Sequence, residues 1–440
     1  MEKKIVLVGA GSTSFGTASM NDIFLSEVLE GSTVVLHDID KDKLEMIYEL
    51  LSIENHRLDD KIHLERTTDR SSAFRNADFI INSIEVGERY TLWRQDYEIP
   101  RKYGSSQILG ECGGPGGTFH AWRIIPPIMD IIKDAEKICP NAFLINFSNP
   151  LSRVCLAIKR SAKNLKFIGL CHQIAFMVHH MPEMFKTSIK NLSMKIGGLN
   201  HFAFLLGLED RSTGKDLMPV FNKNALNYFS EHENRFEFST LTFEFYKRFG
   251  FFPFVGDNHL GEFLQIGSEF TETQDMIDWI DLNDRISQVA YEKFQRNYKL
   301  FKRGKYKEKT VLFGRRSGER AIPIIEAIIT NRNSYEFAVN VPNDNIIENL
   351  PLDLILECSA IINKDGVHGI EIGKLPKNIA AVLRIEATIQ DLCVEAVLNE
   401  SKDLAIACLA IDPNVGSFEM AERIFNEMSE VQKDYLPNFR

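Results

Sequence analysis

The sequence lacks several features that mark specialised classes of protein. None of its apolar runs is long enough for a membrane-spanning helix, and a signal peptide is not expected because the charged start Met1–Lys4 leads directly into an apolar strand. Repeats and low-complexity segments are absent from the sequence as well. Basic residues are fewer than acidic ones, and the formal net charge is −10. This charge argues against binding to nucleic acids or to membrane surfaces.

Cysteine is scarce and irregularly spaced. Seven cysteines are scattered along 440 residues, and this pattern predicts reduced thiols in a cytoplasmic protein rather than a disulfide framework. The remaining composition is ordinary, with 44% hydrophobic and 25% charged residues. A chain of this length can bury a large core and is expected to form two or three structural lobes.

The most informative feature is a glycine-rich turn near the N-terminus. Residues 5–16 read IVLVGAGSTSFG, an apolar strand that runs into Gly9, Gly11 and Gly16. Gly9 would permit the tight turn, Gly11 would let the backbone approach a pyrophosphate, and the next helix would direct its N-terminal N–H groups at the phosphates. The spacing is looser than the strict dinucleotide fingerprint, and a glycine turn of another kind of α/β protein is the alternative.

Strand ends further along the chain support the nucleotide hypothesis. The second apolar strand ends at Asp38, at the place of an acid that binds the ribose 2′-hydroxyl, which favours NAD over NADP. Two more predicted strands, over 78–83 and 142–146, carry asparagines at their ends. We therefore expect these residues to bind the cofactor: Gly9, Gly11, Ser12, Asp38, Asn82 and Asn146.

Strand and helix patterns alternate through about residue 150 and predict a doubly wound parallel sheet, that is, a Rossmann-like α/β fold. The strand over 142–146 stops before Asn149-Pro150, a break at the carboxyl end of a strand, where ligands bind in such sheets. We divide the chain into a dinucleotide-binding domain, residues 1–195, and a C-terminal domain for substrate binding and oligomerisation, residues 196–440.

The pattern of the second half is mainly helical. A single further strand is predicted over 195–204, and a long amphipathic helix over 386–397. A few strands are expected between residues 337 and 375. A mainly helical substrate lobe is therefore predicted beside the sheet.

Two pairs of residues could hold a metal ion. Cys171-His172 and Asn200-His201 each follow an apolar, strand-like segment. A thiolate and an imidazole suit a divalent transition metal, and two protein ligands leave positions open for substrate oxygens and water. The alternative is a buried cysteine that packs as a small hydrophobe, beside a hydrogen-bonded core histidine.

A second glycine-rich stretch surrounds Glu111. Residues 110–117 contain five glycines and one proline, a composition that predicts an irregular loop rather than a helix or a strand. Such a loop lets the backbone approach a ligand, and the carboxylate of Glu111, with Arg94, Asp96 and Glu98 upstream, indicates a site. A flexible surface loop is the alternative.

A third stretch, residues 246–262, mixes aromatic residues and glycines with titratable side chains. Asp257 and Tyr246 could each abstract a proton if their pKa values are suitably shifted, and His259 lies between them and Glu262. Taken alone, the stretch is better explained as an aromatic-rich packing loop.

These motifs occur together and in one order, and with them the chain resembles the NAD-dependent glycosidases of glycoside hydrolase family four over nearly its whole length. The stretches that carry the resemblance are Val8–Ser12, Arg94–Pro100 with Tyr103-Gly104, Gly110–Gly117, Asn146–Pro150, Gly169–His172, Gly198–His201, Gly256–His259, Leu375-Pro376 and Ile411–Pro413. The joint order is far more specific than any single motif.

The resemblance implies a fold like that of lactate and malate dehydrogenases and an unusual hydrolysis. In that family, bound NAD⁺ removes a hydride from C3 of the sugar, and a base then removes the acidified proton on C2. A divalent metal, typically Mn²⁺, stabilises the enediolate as a Lewis acid. The leaving group departs from C1 with the help of a general acid, water adds, and NADH returns the hydride.

The resemblance also implies roles for residues. Cys171 and His201 match the metal ligands, and Asp257 matches the base, with Tyr246 as the alternative. His172, whose ordinary pKa is near neutrality, would be the general acid. Three residues are expected to contact the sugar and one to support the proton or metal network: Arg94, Asn149 and His259 for the sugar, and Glu111 for the network.

His172, directly after the cysteine matched to the metal ligand, makes the chain similar to the branch of the family that acts on free α-glucosides, α-galactosides and α-hexuronides. Two residues depart from the family pattern, Gln173 and Asn258, and Asn258 stands where many relatives carry arginine. The identity of the sugar is therefore not predicted from the resemblance. Four cations could accept an anionic sugar, including a hexuronide or a sulfonated sugar: Arg94, Lys102, Arg123 and Arg315.

Three other functions compete. A 6-phospho-glycosidase of the same family would prefer phosphorylated substrates, a lactate/malate-type dehydrogenase would need no metal pair, and a nucleotide-binding protein would show no turnover. The expected partner in the favoured case is a small glycoside, and a homodimer or homotetramer is implied by resemblance only.

Overall fold

A computed structural model of the chain describes residues 2–12, 15–234, 237–305 and 315–440, and one 13-stranded sheet runs through them. The strands are β1 Lys4–Val8, β2 Thr33–His37, β3 His63–Thr67, β4 Phe79–Asn82, β5 Phe143–Asn146, β6 Lys166–Gly169, β7 Leu192–Leu199, β8 Phe202–Asp210, β9 Lys215–Asp216, β10 Phe252–Pro253, β11 Ser334–Pro342, β12 Ile355–Asn363 and β13 Gly366–Gly369.

The helices lie on both sides of this sheet and at its ends. They are α1 Phe15–Phe24, α2 Lys41–Arg57, α3 Arg70–Phe74, α4 Arg89–Lys102, α5 Gly114–Ile138, α6 Leu151–Ser161, α7 Ala175–Phe185, α8 Met218–Glu231, α9 Thr240–Phe249, α10 Asp257–Leu260, α11 Thr273–Lys302, α12 Ala321–Thr330, α13 Lys377–Leu398, α14 Lys402–Ala410 and α15 Phe418–Val431. Short 3₁₀ segments cover Ile189–Asn191, Gly261–Phe263 and Gln265–Glu269. None of the described helices is long and apolar enough to cross a membrane.

The predicted doubly wound sheet is confirmed. Six parallel strands stand in the order β3-β2-β1-β4-β5-β6, and β1, β4 and β5 are buried almost throughout. Central parallel strands are covered by helices on both faces, so they read as continuous apolar runs such as IVLV and FLI. The sheet continues beyond β6 through antiparallel strands, in the order β11-β12-β7-β8-β10.

One strand of the parallel half has no apolar signal in the sequence. β3 reads HLERT, pairs only with β2 at the edge of the sheet, and exposes or half-exposes each of its residues. Edge strands are often short and charged, so hydrophobic patterning does not reveal them. The segment predicted as the third strand is therefore the fourth, β4.

The prediction of a single strand over 195–204 was wrong. The chain forms a hairpin there, with β7 and β8 paired antiparallel and Asn200-His201 in the turn between them. His201 has a left-handed backbone with φ of 61°. The predicted domain boundary between residues 195 and 196 falls inside β7, and the division into two domains stays a prediction.

The prediction of an irregular loop over 110–117 was also wrong in its second half. α5 begins at Gly114, with Pro115 in its first turn, where the missing N–H costs no helical hydrogen bond. Glycines are needed there for close packing. A Cβ at Gly116 would lie 2.6 Å from the Asp96 carbonyl oxygen, and one at Gly117 would lie 2.5 Å from the Cys112 carbonyl carbon.

The C-terminal half is mainly helical, as predicted, with β11, β12 and β13 inserted between α12 and α13. The predicted amphipathic helix over 386–397 is the second half of α13. α13 contacts α5, α6 and α14, so the C-terminal helices lie directly against the helices of the parallel sheet.

A buried ion pair joins three helices below the glycine-rich stretch. Arg123 on α5 donates to both carboxylate oxygens of Asp96 on α4, at 2.8 and 2.6 Å, and to Gln432 beyond α15 at 2.6 Å. The side chains of Arg123 and Asp96 are only 3% and 1% exposed. Each charge is therefore satisfied only by its partner and by the neighbouring amide.

Replacing Asp96 by alanine is expected to lower the free energy of unfolding by about 3–5 kcal/mol, because Arg123 would stay buried without a counter-ion. Urea denaturation followed by circular dichroism measures this loss. Glu98→Ala on the same helix is the matched control: its carboxylate is 54% exposed, and its removal should cost less than about 1 kcal/mol. Equal losses in the two variants would contradict the prediction.

Candidate active site

The N-terminal glycine turn packs closely against the segments that follow β2 and β4. Gly9 has φ of 83°, and a Cβ there would lie 2.9 Å from the Ser83 carbonyl oxygen. The Gly11 N–H donates to Asp38 Oδ2 at 2.7 Å, which ties the turn to the end of β2. The Ser12 N–H donates to the Gly9 carbonyl at 3.2 Å and closes the turn. These predicted cofactor residues are thus brought together in a cradle that suits a pyrophosphate.

The two asparagines predicted to bind the cofactor also meet. Asn82 at the end of β4 donates from Nδ2 to Asn146 Oδ1 at 2.8 Å and to Ser148 Oγ at 3.2 Å. Asn82 Oδ1 is buried and has no hydrogen-bond partner among the described residues. An acceptor in this position points to a donor supplied by a ligand.

Cys171 and His201 form the centre of the site. Cys171 follows β6, His201 lies in the β7–β8 turn, and Cys171 Sγ is 3.1 Å from His201 Nε2. A thiolate and an imidazole this close together could both be ligands of one divalent transition metal. The other ring nitrogen, His201 Nδ1, is buried without a partner among the residues that the structure describes. The pair therefore fits one divalent ion.

Burial sets the protonation of both side chains. It raises the pKa of the Cys171 thiol to about 12, with the charge of Glu357 as the next cause. It also lowers the pKa of His201 well below its ordinary value, and the neighbouring His259 and His172 act in the same direction. His201 is thus a neutral imidazole, which is the form that binds metals.

His259 lies against His201 and is oriented by Glu262. The two imidazole rings are 4.1 Å apart between centroids, and His259 Nδ1 is 3.1 Å from Glu262 Oε2. Burial opposes a charge on His259, but the hydrogen bond and charge of Glu262, with the charge of Glu111, outweigh it and raise its pKa.

Glu262 also holds the stretch 111–113. Its Oε1 accepts the backbone N–H groups of Glu111, Cys112 and Gly113, at 2.6, 2.9 and 3.3 Å. Cys112 Sγ, a His201 ring nitrogen and a Glu262 oxygen lie within 4.8 Å of one another. Cys112 is thus a second thiol beside the predicted metal pair.

The sequence analysis did not identify Glu262, Cys112 or Glu357 as site residues. Glu262 could have been found, because residues three apart on a helical turn face each other and His259 was already a candidate. Cys112 carried no signal beyond its place next to Glu111. Glu357 could have been noticed as the one acid in the apolar strand β12, whose sequence is ILECSAIIN.

Glu357 lies behind the Cys171–His201 pair, within the sheet. Its carboxylate accepts from Asn200 Nδ2 at 3.2 Å and from Asn340 Nδ2 at 3.3 Å. Burial raises the pKa of Glu357 to about 7, although these hydrogen bonds oppose the shift.

Glu111 faces a small network of charges. Its carboxylate accepts from Arg89 at 2.7 Å, and Arg89 also lies 3.9 Å from Glu85. His120 contacts the Glu111 carbonyl at 2.9 Å and Glu85 at 3.4 Å. Burial would raise the pKa of Glu85, but the charges and hydrogen bonds of His120 and Arg89 lower it to about 2.

Asp257 is fixed at the start of α9. Its Oδ1 accepts from the Ser239 N–H and from the N–H and hydroxyl of Thr242, at 3.3, 2.9 and 2.5 Å. Its Oδ2 accepts from the Leu241 N–H at 2.8 Å and has no second donor among the described residues. Burial raises the pKa of Asp257 despite these bonds. Asp257 therefore satisfies the first N–H groups of a helix and keeps a further acceptor position on Oδ2.

Tyr246 and Arg94 point to other parts of the molecule. The Tyr246 hydroxyl donates to Asn222 on α8 at 2.8 Å, and its ring packs against Phe221 and Phe252. Arg94 on α4 forms an exposed ion pair with Asp281 of α11. The structure does not bring either side chain into contact with Cys171 or His201.

His172 and Asn149 lie at the border of the site. His172 is exposed, next to Cys171, and its charge acts on both His201 and Glu319. Asn149 is half-buried just before α6, three residues before Ser152, whose hydroxyl accepts the Asn200 N–H at 3.2 Å. The exposed position of His172 suits exchange of a proton with a bound molecule.

Comparison with known proteins agrees with the resemblance seen in the sequence. A family model described as Family 4 glycosyl hydrolase matches residues 4–187, and the model of the Family 4 glycosyl hydrolase C-terminal domain matches residues 196–415. An alpha-glucosidase from Erwinia rhapontici is 37% identical over 94% of each chain. An alpha-galactosidase from Bacillus subtilis is 29% identical over 100% of each chain.

Solved structures agree with the predicted fold. A 6-phospho-alpha-glucosidase from gut microorganisms, solved in complex with NAD and Mn²⁺, superposes with a TM-score of 0.86 over 100% of both chains, at 22% identity. A lactate dehydrogenase from a deep-sea metagenome reaches a TM-score of 0.52 over 90% of this chain and 99% of its own, at 18% identity. The expected likeness to lactate and malate dehydrogenases is thus confirmed for the fold.

Asp257→Asn is expected to lower the free energy of unfolding by about 1 kcal/mol, because an amide offers α9 one acceptor oxygen instead of two. Urea denaturation measures the change. The control is Asp281→Asn, which removes an exposed acid and should change stability by less than about 0.5 kcal/mol. An unfolding midpoint for Asp257→Asn equal to that of the unmodified protein would show that the capping bonds contribute nothing.

Proposed function

Because the chain belongs to family 4 of the glycosyl hydrolases, we propose that it hydrolyses a non-phosphorylated α-glycoside, an α-glucoside in the first place, with NAD and a divalent metal as cofactors. The α-linkage and the glucose unit are supported by the 37% identical alpha-glucosidase. NAD and Mn²⁺ are supported by the glycine cradle and by the Cys171–His201 pair.

The observation that carries the choice of a neutral sugar is that three of the four cations offered by the sequence for an anionic sugar are already paired with carboxylates. Arg123 is bound to Asp96, Lys102 to Glu427 and Arg94 to Asp281. Each arginine or lysine that the sequence offered for an anionic sugar thus has a carboxylate partner, apart from Arg315. A phosphate or carboxylate that enters without a cation is poorly stabilised, so neutral substrates are favoured.

When bound, NAD⁺ would accept and return a hydride and the metal ion would polarise sugar oxygens. Residues of the chain position these groups. Gly9, Gly11, Ser12 and the carboxylate of Asp38 would hold the nucleotide, with Asn82 and Asn146 beside it. Cys171 and His201 would hold the metal, and Asn149 and His259 would contact sugar hydroxyls.

Proton transfer is assigned to His172 and Asp257. His172 is exposed next to Cys171, and an imidazole in that position can donate a proton to the leaving oxygen as a general acid. Asp257 is the proposed base, because α9 fixes its orientation, burial raises its pKa, and Oδ2 keeps an acceptor position. Tyr246 is the second candidate, although its hydroxyl is engaged by Asn222. Glu111 would support the network through Arg89.

The lactate/malate-type dehydrogenase is set aside by the two family models, which together match most of the chain. The 6-phospho-glycosidase of the same family is the alternative to test. It would need a cation for the phosphate, and Arg315 is the remaining candidate of the four that the sequence offered.

A panel of nitrophenyl glycosides tests the proposal. Nitrophenol release from the free α-glucoside should exceed that from its 6-phospho counterpart by at least about tenfold in kcat/KM, or about 1.4 kcal/mol. Release should require both NAD⁺ and Mn²⁺ without net NADH formation. In the same assay, Asp257→Asn should lose turnover at a temperature at which it is folded. Preference for the phosphorylated sugar, or NADH accumulation on a hydroxy acid, would reject the proposal.

Metal affinity should rise with pH. The Cys171 thiol is protonated because burial raises its pKa to about 12, so Mn²⁺ binding must release that proton, whereas His201 is already neutral. Apparent affinity should therefore increase about tenfold per pH unit between about pH 7.5 and 9. Titration with Mn²⁺, followed by the electron paramagnetic resonance of the free ion, measures it. A flat profile in the unmodified protein, equal to that of Cys171→Ser, would remove Cys171 from the metal site.

A further inference from the structure

Glu357 is a buried acid in the middle of the sheet. It lies on β12 and is 1% exposed. In the register of the sheet it stands opposite Gly198 of β7 on one side and opposite Asn340 of β11 on the other. The carboxylate is therefore enclosed by three neighbouring strands and cannot be solvated by bulk water.

The neighbours of Glu357 lead directly to both residues of the metal pair. Asn340, which donates to Glu357, is paired in the sheet with Gly169, two residues before Cys171. Asn200, which also donates to Glu357, precedes His201 in the β7–β8 turn. The His201 backbone N–H is a third hydrogen-bond partner of the carboxylate. Glu357 thus connects the segment of Cys171 with that of His201.

Glu357, like Asp22 and Asp257, is a buried acid without an arginine partner among the described residues, whereas three other buried acids have one. Asp96, Glu386 and Glu336 are each paired with an arginine, at 2.6, 3.3 and 2.5 Å. Among the described residues, the hydrogen-bond partners of Glu357 are two amides and one backbone N–H, all uncharged. A buried carboxylate without a cation is strongly unfavourable, so Glu357 must either carry a proton or have a positive charge close to it.

We propose that Glu357 is a positioning residue of the metal site, and that the divalent ion bound by Cys171 and His201 is the counter-ion of its carboxylate. This inference rests on the proposed function, because it requires a metal ion at that pair. One thiolate and one carboxylate carry two negative charges, which match the two positive charges of the ion. Glu357 would thus raise metal affinity through its charge and fix the turn that carries His201.

Glu357→Gln tests the charge with little change in shape. The new NH2 group replaces an oxygen that accepts from an asparagine amide, and rotation of the Asn340 amide by half a turn would present its Oδ1, which has no partner among the described residues, to that group. Loss of a residue that supports metal ligands typically weakens metal binding by about 10–100-fold. We expect a loss of this size in Mn²⁺ affinity, with NAD⁺ affinity unchanged.

Thermal unfolding gives a second readout. The metal-free variant should melt no lower than the metal-free unmodified protein, because it no longer buries an acid without a counter-ion. The rise in melting temperature that Mn²⁺ produces should become smaller, since ligand stabilisation follows affinity. If Glu357 had a merely structural role, its substitution would lower the melting temperature with and without Mn²⁺ and leave the rise produced by Mn²⁺ unchanged.

Glu336→Gln is the matched control. Glu336 is a buried acid on the neighbouring strand β11, but it is already paired with Arg320. Its loss should lower the melting temperature with and without Mn²⁺ and leave Mn²⁺ affinity unchanged. Glu357→Asp keeps the charge and should retain most of the affinity. Glu357→Ala is the second neutral variant if the glutamine variant does not fold.

Cys171→Ser separates the inference from the proposed function. If Cys171→Ser keeps full Mn²⁺ affinity, the proposed metal pair is wrong. If Cys171→Ser loses affinity but the neutral variants of Glu357 keep it, only the inference about Glu357 is overturned. A parallel loss of Mn²⁺ and NAD⁺ affinity in the Glu357 variants would also overturn it, because that result indicates general damage to the fold.

Discussion

The arrangement of the site depends on the carboxylate of Glu262. One of its oxygens accepts the N–H groups of Glu111, Cys112 and Gly113, and the other contacts His259. His259 in turn packs on His201. A single buried acid therefore connects the entrance to α5, 151 residues before it in the sequence, with His259 and through that ring with His201. Arg89 and His120 add contacts to Glu111, so the stretch 111–113 is held from two sides.

Most charged side chains around Glu262 and His259 are paired with an opposite charge of the protein. Arg123 with Asp96 and Arg89 with Glu111 are complete pairs within the protein. Glu357 and the Cys171–His201 pair are not balanced in this way, and they lie next to each other. In a low-dielectric interior, an unbalanced acid beside soft ligand atoms is a site prepared for a cation.

Much of the fold could be predicted from the sequence because its central strands are apolar and end in recognisable residues. The runs before Gly9, Asp38 and Asn146 gave the parallel sheet, and local signals led to Cys171 and His201. β3 escaped prediction because an edge strand has no buried face to impose a pattern. The first turn of α5 was not predicted because its glycines are required by close contacts with the backbone of Asp96 and Cys112. Glycine-rich composition alone indicates a loop and does not reveal such contacts. The β7–β8 hairpin was missed because a left-handed histidine is not a usual turn signal.

Site residues could be predicted only where two polar, potentially ligating residues are adjacent in the sequence. Cys171-His172 and Asn200-His201 stand out as adjacent polar pairs after apolar strands. Glu357 has polar partners only across the sheet, in Asn200 and Asn340, and such partnerships depend on register. Asp257 was predicted for its chemistry, but its hydrogen bonds to the start of α9 are a structural contribution that its motif does not reveal.

The positions of Cys171 and His201 also limit how segments could be exchanged between related proteins. Cys171 belongs to the segment matched by the first family model and His201 to the segment matched by the second. β7, which starts the second segment, is paired with β12 and β8, and β11 pairs back to β6 of the first. Neither segment alone has both ligands, so the two halves are not interchangeable modules. Exchange of one half between relatives would preserve the site only if the register of β6, β11, β12 and β7 were kept.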